Sequence, residues 1–284
     1  DANKVAAMTT TQVAAFTSDQ IKSLSAAQLQ ALTTSEVAAM STGQLKALSD
    51  TQIKSLTSDA VAAMTTAQVN ALTTAQLKAL SSSQVTALTS TNVAALGTSQ
   101  ISALSSSQVQ ALTTTAVNAL TTSLVNAMTT AQVAALTTGQ VQSIATSTVS
   151  GISTANVQAL RAAQVSALTT TAVAQLSTGQ VSALTTSQVA AFTTSAVAAL
   201  STAQVTALSS TQVQGLTNAG LNAMTTTQVA ALTTAQVSSL SSTQVAGLST
   251  GTLQSLTTSQ VKSLTDTQIQ ALTTSSVAAM TTAQ

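Results

Sequence analysis

An eight-residue repeat with the consensus T-T-A-Q-V-A-A-L runs through all 284 residues without a change of register. In steps of eight from Val5 to Val277, every position is Val, Ile or Leu. In the same steps from Met8 to Met280, every position is Leu, Met, Ile or Phe. These two columns hold every large apolar residue except Leu124. Such strict placement indicates a repeat protein with one continuous core.

No insertion or change of composition interrupts the repeat, so residues 1–284 are expected to form a single continuous array. The chain starts and stops within an octad, which indicates a segment of a longer array. Its least regular stretch covers residues 145–161, where Ala145 and Arg161 replace a Ser or Thr and Gly151 enters a column of small residues. We interpret this stretch as a hinge or as tolerated drift in a redundant array.

Three folds could accommodate the octads. In one continuous helix, an apolar stripe spaced three and then five residues apart would spiral off any single face. A β-solenoid would place the two columns on opposite strand faces and would need a corner in every octad, yet the chain has no Pro and only 9 Gly. The third fold is a chain of very short helices, each started by its own cap.

Local sequence signals favour the short helices. Ser or Thr follows the second apolar column in nearly every octad, and Gln or Glu often lies three residues further on, as in Thr33 and Glu36. This is the spacing of a capping box, in which the two residues satisfy each other's main-chain N–H groups. Leu32 and Val37 have the spacing of the hydrophobic staple that accompanies it.

The few charges are sorted in the way that the helix dipole favours. Five acids fall in the first turn of an expected helix and five bases near the end of one. The acids are Asp19, Glu36, Asp50, Asp59 and Asp266, and the bases are Lys22, Lys46, Lys54, Lys78 and Lys262. We therefore predict an all-α solenoid, a superhelix of very short capped helices, with the β-solenoid as the alternative.

A second, longer period predicts how the superhelix turns. Octads that lack the consensus Gln recur about every 27 residues, which predicts roughly 3.3 repeats per turn. They should line up as a stripe on one side, with small residues after the first apolar column. We hypothesise that this stripe contacts another copy of the protein; the alternative is that this side of the coil merely needs smaller side chains. Its residues are Ala38, Ala62, Ala94, Asn118, Ala174, Ala198, Asn222 and Ala278.

Composition argues against catalysis. The chain has no His and no Cys, which excludes zinc sites, disulfides and a His-activated Ser nucleophile. The acids are scattered rather than clustered as calcium-binding repeats require. We predict no enzyme activity, no catalytic residues, no cofactor and no metal. A net charge of +1 argues against nucleic-acid partners, and the absence of an apolar run of about 18 residues argues against membrane insertion.

Three classes of function remain: a structural stalk or filament, an ice-binding surface of ordered Thr residues, and display of O-glycans on Ser and Thr. The octad array resembles the Ser/Thr/Ala-rich short-repeat tracts of giant bacterial secreted or surface adhesin-type proteins. That resemblance covers the whole chain through its repeat organisation and implies an extracellular or cell-surface location. We predict a structural element that associates with itself into a fibre or bundle, with ice binding as the alternative.

Overall fold

The computed structural model describes residues 2–282 and 284. Among these residues the regular secondary structure is α-helical throughout, without a β-strand. The predicted all-α fold is confirmed, and the alternative β-solenoid is not supported. The chain divides into two compact units, Asp1–Ala145 and Thr146–Gln284.

The first unit contains eighteen helices among its described residues. They are α1 (Ala2–Ala6), α2 (Thr10–Ala14), α3 (Ser18–Lys22), α4 (Ala26–Gln30), α5 (Thr34–Ala39), α6 (Thr42–Ala47), α7 (Asp50–Ser55), α8 (Ser58–Ala62), α9 (Thr66–Ala71), α10 (Thr74–Ala79), α11 (Ser82–Ala87), α12 (Ser90–Ala94), α13 (Thr98–Ala103), α14 (Ser106–Ala111), α15 (Thr114–Asn118), α16 (Thr122–Ala127), α17 (Thr130–Ala135) and α18 (Thr138–Ser143).

The described part of the second unit contains seventeen more. They are α19 (Thr146–Val149), α20 (Thr154–Ala159), α21 (Ala162–Ser166), α22 (Thr170–Gln175), α23 (Thr178–Ala183), α24 (Thr186–Ala190), α25 (Thr194–Ala199), α26 (Thr202–Ala207), α27 (Ser210–Gly215), α28 (Asn218–Asn222), α29 (Thr226–Ala231), α30 (Thr234–Ser238), α31 (Ser242–Ala246), α32 (Thr250–Gln254), α33 (Thr258–Lys262), α34 (Asp266–Ala271) and α35 (Thr274–Ala279).

The octad around α9 shows how each helix starts and stops. Thr65 is extended, with φ −71° and ψ 160°. Its Oγ1 accepts from the N–H of Gln68 at 3.2 Å, and its own N–H donates to Oε1 of Gln68 at 2.8 Å. At the other end, Leu72 has a non-helical backbone conformation, with φ −59° and ψ 137°, and its N–H donates to the carbonyl of Val69. Two extended residues, Leu72 and Thr73, thus separate consecutive helices.

The structure confirms the helix caps and the placement of charges that the sequence predicts. Within the described residues no φ is positive, so the corners of the superhelix need neither Gly nor Pro. Gly97 and Arg161, which replace Ser or Thr, accept no N–H of the helix with a side chain of their own, but the main-chain N–H of each still donates to the Gln three residues later. The third replacement, Ala145, precedes α19, which is only four residues long. The five acids lie in first turns and the five bases in last turns, as predicted.

Within each unit, a helix packs against the helix three repeats further along the chain. Examples are α5 on α8, α8 on α11, α22 on α25 and α25 on α28. Side-chain hydrogen bonds join residues 28 to 31 positions apart. One turn therefore takes between three and four octads, in agreement with the predicted 3.3.

Burial of the two apolar columns stabilises this packing. Val69 is completely buried and Leu72 is 3% exposed, and most octads repeat these values. Each such side chain contributes about 1.5 to 3 kcal/mol on burial. Because helices of four to six residues do not persist alone in water, this stacking is what allows them to form.

The residue before the second column is small because it lies against the start of an earlier helix. A Cβ atom on Gly215 would lie 2.5 Å from Cγ2 of Thr186 and 3.1 Å from its carbonyl oxygen. At the equivalent position, the hydroxyl of Ser239 donates to the carbonyl of Ser210 at 3.1 Å. Neighbouring backbones therefore approach closely at this column in the second unit.

This approach predicts opposite effects for two glycine substitutions in the second unit. Gly215→Ala should destabilise the unit by about 1 to 3 kcal/mol, because the added methyl group displaces Thr186. Gly179→Ala should stabilise it by about 0.5 to 1 kcal/mol, because a Cβ there meets only Oγ of Ser177, at 3.9 Å, and Ala favours the helix. Denaturant unfolding followed by circular dichroism measures both; equal effects would show that the small column is not sterically required.

Candidate functional surface

The consensus Gln joins one turn of the superhelix to the turn before it. The side-chain oxygen of Gln68 accepts from the N–H of its own cap, Thr65. Its Nε2 donates to the carbonyl oxygens of Val37 at 2.8 Å and Met40 at 2.7 Å. Gln68 is only 2% exposed. The amide therefore donates to carbonyl groups at the end of an earlier helix; that of Val37 also accepts from the N–H of Met40, and that of Met40 lies past the last helical residue.

This arrangement recurs along the described chain in both units. In each case Nε2 donates to main-chain carbonyls 28 to 31 residues earlier. The residues are Gln44, Gln52, Gln76, Gln84, Gln100, Gln108, Gln132, Gln140, Gln180, Gln188, Gln204, Gln212, Gln228, Gln236, Gln244, Gln260, Gln268 and Gln284. We refer to these hydrogen bonds, with those of Gln68, as the glutamine links.

Sequence reasoning assigned this Gln to the cap alone and missed the links. A signal was present, because a capping box accepts Glu as readily as Gln at this position. The chain nevertheless has Gln at this position in most octads and Glu only at Glu36. A carboxylate can accept the cap's hydrogen bond but has no hydrogen to donate onward.

The predicted stripe lies on helices that stack in each unit. In the first unit, Ala38 and Ala62 lie on the packed pair α5 and α8, and Ala94 and Asn118 lie on the packed pair α12 and α15. Ala38 and Ala62 are half-buried, whereas Ala94 and Asn118 are exposed. Each of these two packed pairs therefore places two stripe residues on stacked helices.

In the second unit, Ala174, Ala198 and Asn222 lie on α22, α25 and α28, which pack in that order. Ala278 lies on α35, which packs on α32. All four are exposed. The role of the stripe in self-association stays a prediction.

The stripe octads close their turns without a glutamine link. Ala60, Ala116 and Ala196 occupy the Gln position and are 2% exposed or less. At Gly220, an added Cβ would lie 3.4 Å from Cγ2 of Val197 on the helix below. Close packing takes the place of the amide at these four positions, whereas Asn92, in the octad of Ala94, still donates to the carbonyl of Met64 at 3.1 Å.

The two asparagines of the stripe bind their own chain. Asn118 donates to the carbonyl of Ser143 at 2.7 Å, and Asn222 donates to that of Gly247 at 2.9 Å. Outside the stripe, Asn70 makes the same bond to Ala95. Polar residues at this position therefore add a second connection, to a residue 25 positions later, which the sequence did not reveal.

A model of the ALTTAQ repeat matches residues 3–34, 37–74, 61–98, 86–114, 93–122, 164–194, 188–218 and 219–250. The chain belongs to the ALTTAQ repeat family. The family name is spelled by residues 71–76, which comprise the end of α9, the extended Leu72 and Thr73, and the linking Gln76. The ALTTAQ unit is thus a helix end, a cap and a glutamine link. A comparison with curated proteins found no match.

The matched ranges leave out residues 123–163, which contain the irregular stretch and the division between the two units. The membership confirms the expected repeat protein. The adhesin resemblance gains no support from the ALTTAQ match.

Two open surface grooves lie in the first unit. One, of about 430 Å³, is lined by Ser90, Thr114, Thr115, Asn118, Ala119 and Ser143. The other, of about 380 Å³, includes Lys46, Asn70 and Gln100. Neither lining contains an acid or an activated nucleophile. The described residues include no cluster of three acidic, His or Cys side chains, and no described helix is long and apolar enough to span a bilayer.

The glutamine links predict unequal effects for two identical substitutions in the first unit. Gln44→Met should destabilise the unit by about 1 to 3 kcal/mol beyond the effect of Gln12→Met, because the carbonyls of Val13 and Phe16 lose their buried donor. Gln12 is the matched control: it is exposed and also accepts from its cap, Thr9. Chemical unfolding of both variants measures the difference, and equal losses would mean that the links contribute nothing beyond capping.

Proposed function

We propose that this ALTTAQ-repeat chain is a non-enzymatic structural element, part of an extracellular or cell-surface stalk or filament. The observation that carries the proposal is the set of glutamine links, which join turn after turn of each unit to the preceding turn. The connecting groups are side-chain amides and main-chain carbonyls of the chain itself.

Local contacts suit a protein whose task is to span distance. Each helix packs on helices three or four repeats away, as α25 does on α22 and α28. In an array of this kind the stability is close to a sum over repeats and their interfaces. Length can therefore change by whole octads without altering the packing of the remainder.

The surface chemistry also supports a structural role. Only 5% of the residues are charged and 1% are aromatic, so the surface offers few groups for specific recognition. The absence of Cys suits an extracellular location, where free thiols oxidise. Exposed Ser and Thr hydroxyls would allow O-glycans, which are compatible with a stalk.

Self-association along the stripe follows from its small side chains. Ala94, Ala174 and Ala198 are exposed at a helix position where other octads carry Lys46, Lys54 or Lys78. A surface without charge or bulk at this position allows a second copy to approach closely. The partner we propose is therefore another copy of the same chain, in a fibre or bundle.

Hydroxyl geometry favours the structural proposal over ice binding. The Oγ1 atoms of cap residues such as Thr65 and Thr193 accept N–H groups of their own helices. These hydroxyls are engaged with the main chain, which reduces their capacity to order water. The Thr columns are also mixed with Ser, which lacks the methyl group of Thr.

Two matched lysine variants test the stripe. Ala198→Lys should weaken self-association at least several-fold, because like charges would face each other across the contact. Ala190→Lys should leave it unchanged, since Ala190 is equally exposed at the same helix position but belongs to an octad outside the stripe. Sedimentation velocity over a range of concentrations measures both. A strictly monomeric parent chain, or equal effects of the two variants, would overturn the stripe as the contact surface.

Imaging and freezing measurements separate the structural and ice-binding alternatives. We expect negative-stain images of purified protein to show fibres or bundles, and solutions to show no thermal hysteresis. A freezing-point depression that exceeds the melting-point depression, together with isolated particles at all concentrations, would favour ice binding instead.

A further inference from the structure

Glu36 is a buried acid at a position where the array normally holds a Gln. It is 2% exposed, at the third residue of α5. One carboxylate oxygen, Oε2, accepts from both the N–H of Thr33 at 2.6 Å and its hydroxyl at 2.9 Å. The carboxylate therefore performs the capping role of the glutamine with a single oxygen.

The register of the array defines what the other oxygen, Oε1, faces. Gln44, one octad later, places Nε2 among the carbonyl oxygens of Val13, Ala14 and Phe16, at 3.0, 3.3 and 2.7 Å. The same offsets of 31, 30 and 28 residues from Glu36 lead to the carbonyls of Val5, Ala6 and Met8. The register therefore predicts that Oε1 takes the place of an amide donor beside these three acceptors.

This arrangement puts a negative charge against the negative end of a helix. The carbonyls of Val5 and Ala6 belong to the last turn of α1, whose dipole favours a cation. A buried carboxylate without a compensating charge is costly. Among the described residues, the ion pair that the structure contains joins Lys22 to Asp19 and does not involve Glu36.

We propose that Glu36 and the carbonyls of Val5, Ala6 and Met8 bind a hard cation such as Na⁺ or Ca²⁺. These cations take oxygen ligands from carboxylates and main-chain carbonyls, and water completes their coordination. A proton on Glu36 would serve one carbonyl through one hydrogen bond. A cation contacts the carboxylate and the carbonyls together, and so restores the connection that the glutamine makes in other turns.

Hydrogen exchange of the full chain tests the site locally. The protein is treated with chelator, transferred to a tetramethylammonium buffer, and then given NaCl or CaCl₂. Amides of residues 2–16 should exchange about ten-fold more slowly when the free cation is ten times its Kd. Comparison of the Na⁺ and Ca²⁺ arms identifies the ion that binds. Glu36→Gln should show slow exchange in every buffer, because its amide replaces the cation.

A second variant moves the site within the first unit. Gln68→Glu should make exchange near Thr65 and at the carbonyl-bearing turn of Val37 and Met40 depend more strongly on the same cation than in the parent chain, where an amide joins these groups. The proposal is overturned if neither cation slows exchange of residues 2–16 in the parent, if Glu36→Gln responds equally, or if acidification alone, corrected for the intrinsic exchange rate, gives the protection.

Discussion

The hydrogen bonds of one side chain, the buried Gln at the third helical position, hold consecutive turns of this fold together. A helix leaves its first four N–H groups and its last four carbonyls without internal partners. In helices of four to six residues this includes most of the main chain. Gln68 binds groups of both kinds: it accepts from the cap N–H of Thr65 and donates to the carbonyls of Val37 and Met40. The short helix and the stack therefore depend on each other.

Much of the fold could be predicted because its determinants lie within one octad. The spacing of Thr33 and Glu36 specifies a cap, which is present in α5, and the two apolar columns specify the core, in which Val37 and Met40 are both buried although Met40 lies just past the end of α5. The stripe period gave the number of repeats per turn because octads without the consensus Gln, such as that of Ala60, recur about once per turn.

The rest depends on residues far apart in the chain. The glutamine links join positions 28 to 31 residues apart, and Asn118 reaches Ser143 across 25. Which carbonyl an amide meets depends on the rise and rotation of the superhelix, and a repeat period fixes only their average. The division after Ala145 was likewise not predicted as a boundary, although Ala145 had already marked the least regular stretch.

Consecutive turns are joined either by a glutamine link or by the packing of a small residue, and the two arrangements constrain the surface in different ways. A glutamine link fixes a buried amide and leaves the exposed helix positions open to Lys, Asn or Ala, as at Lys46 and Asn70. A small residue such as Ala196 is instead buried where other turns have the amide. Because both devices lie beneath the surface, outer residues can vary without disturbing the stack. Glu36 marks the limit of this freedom, since a carboxylate satisfies the cap but leaves the turn to be joined by another group.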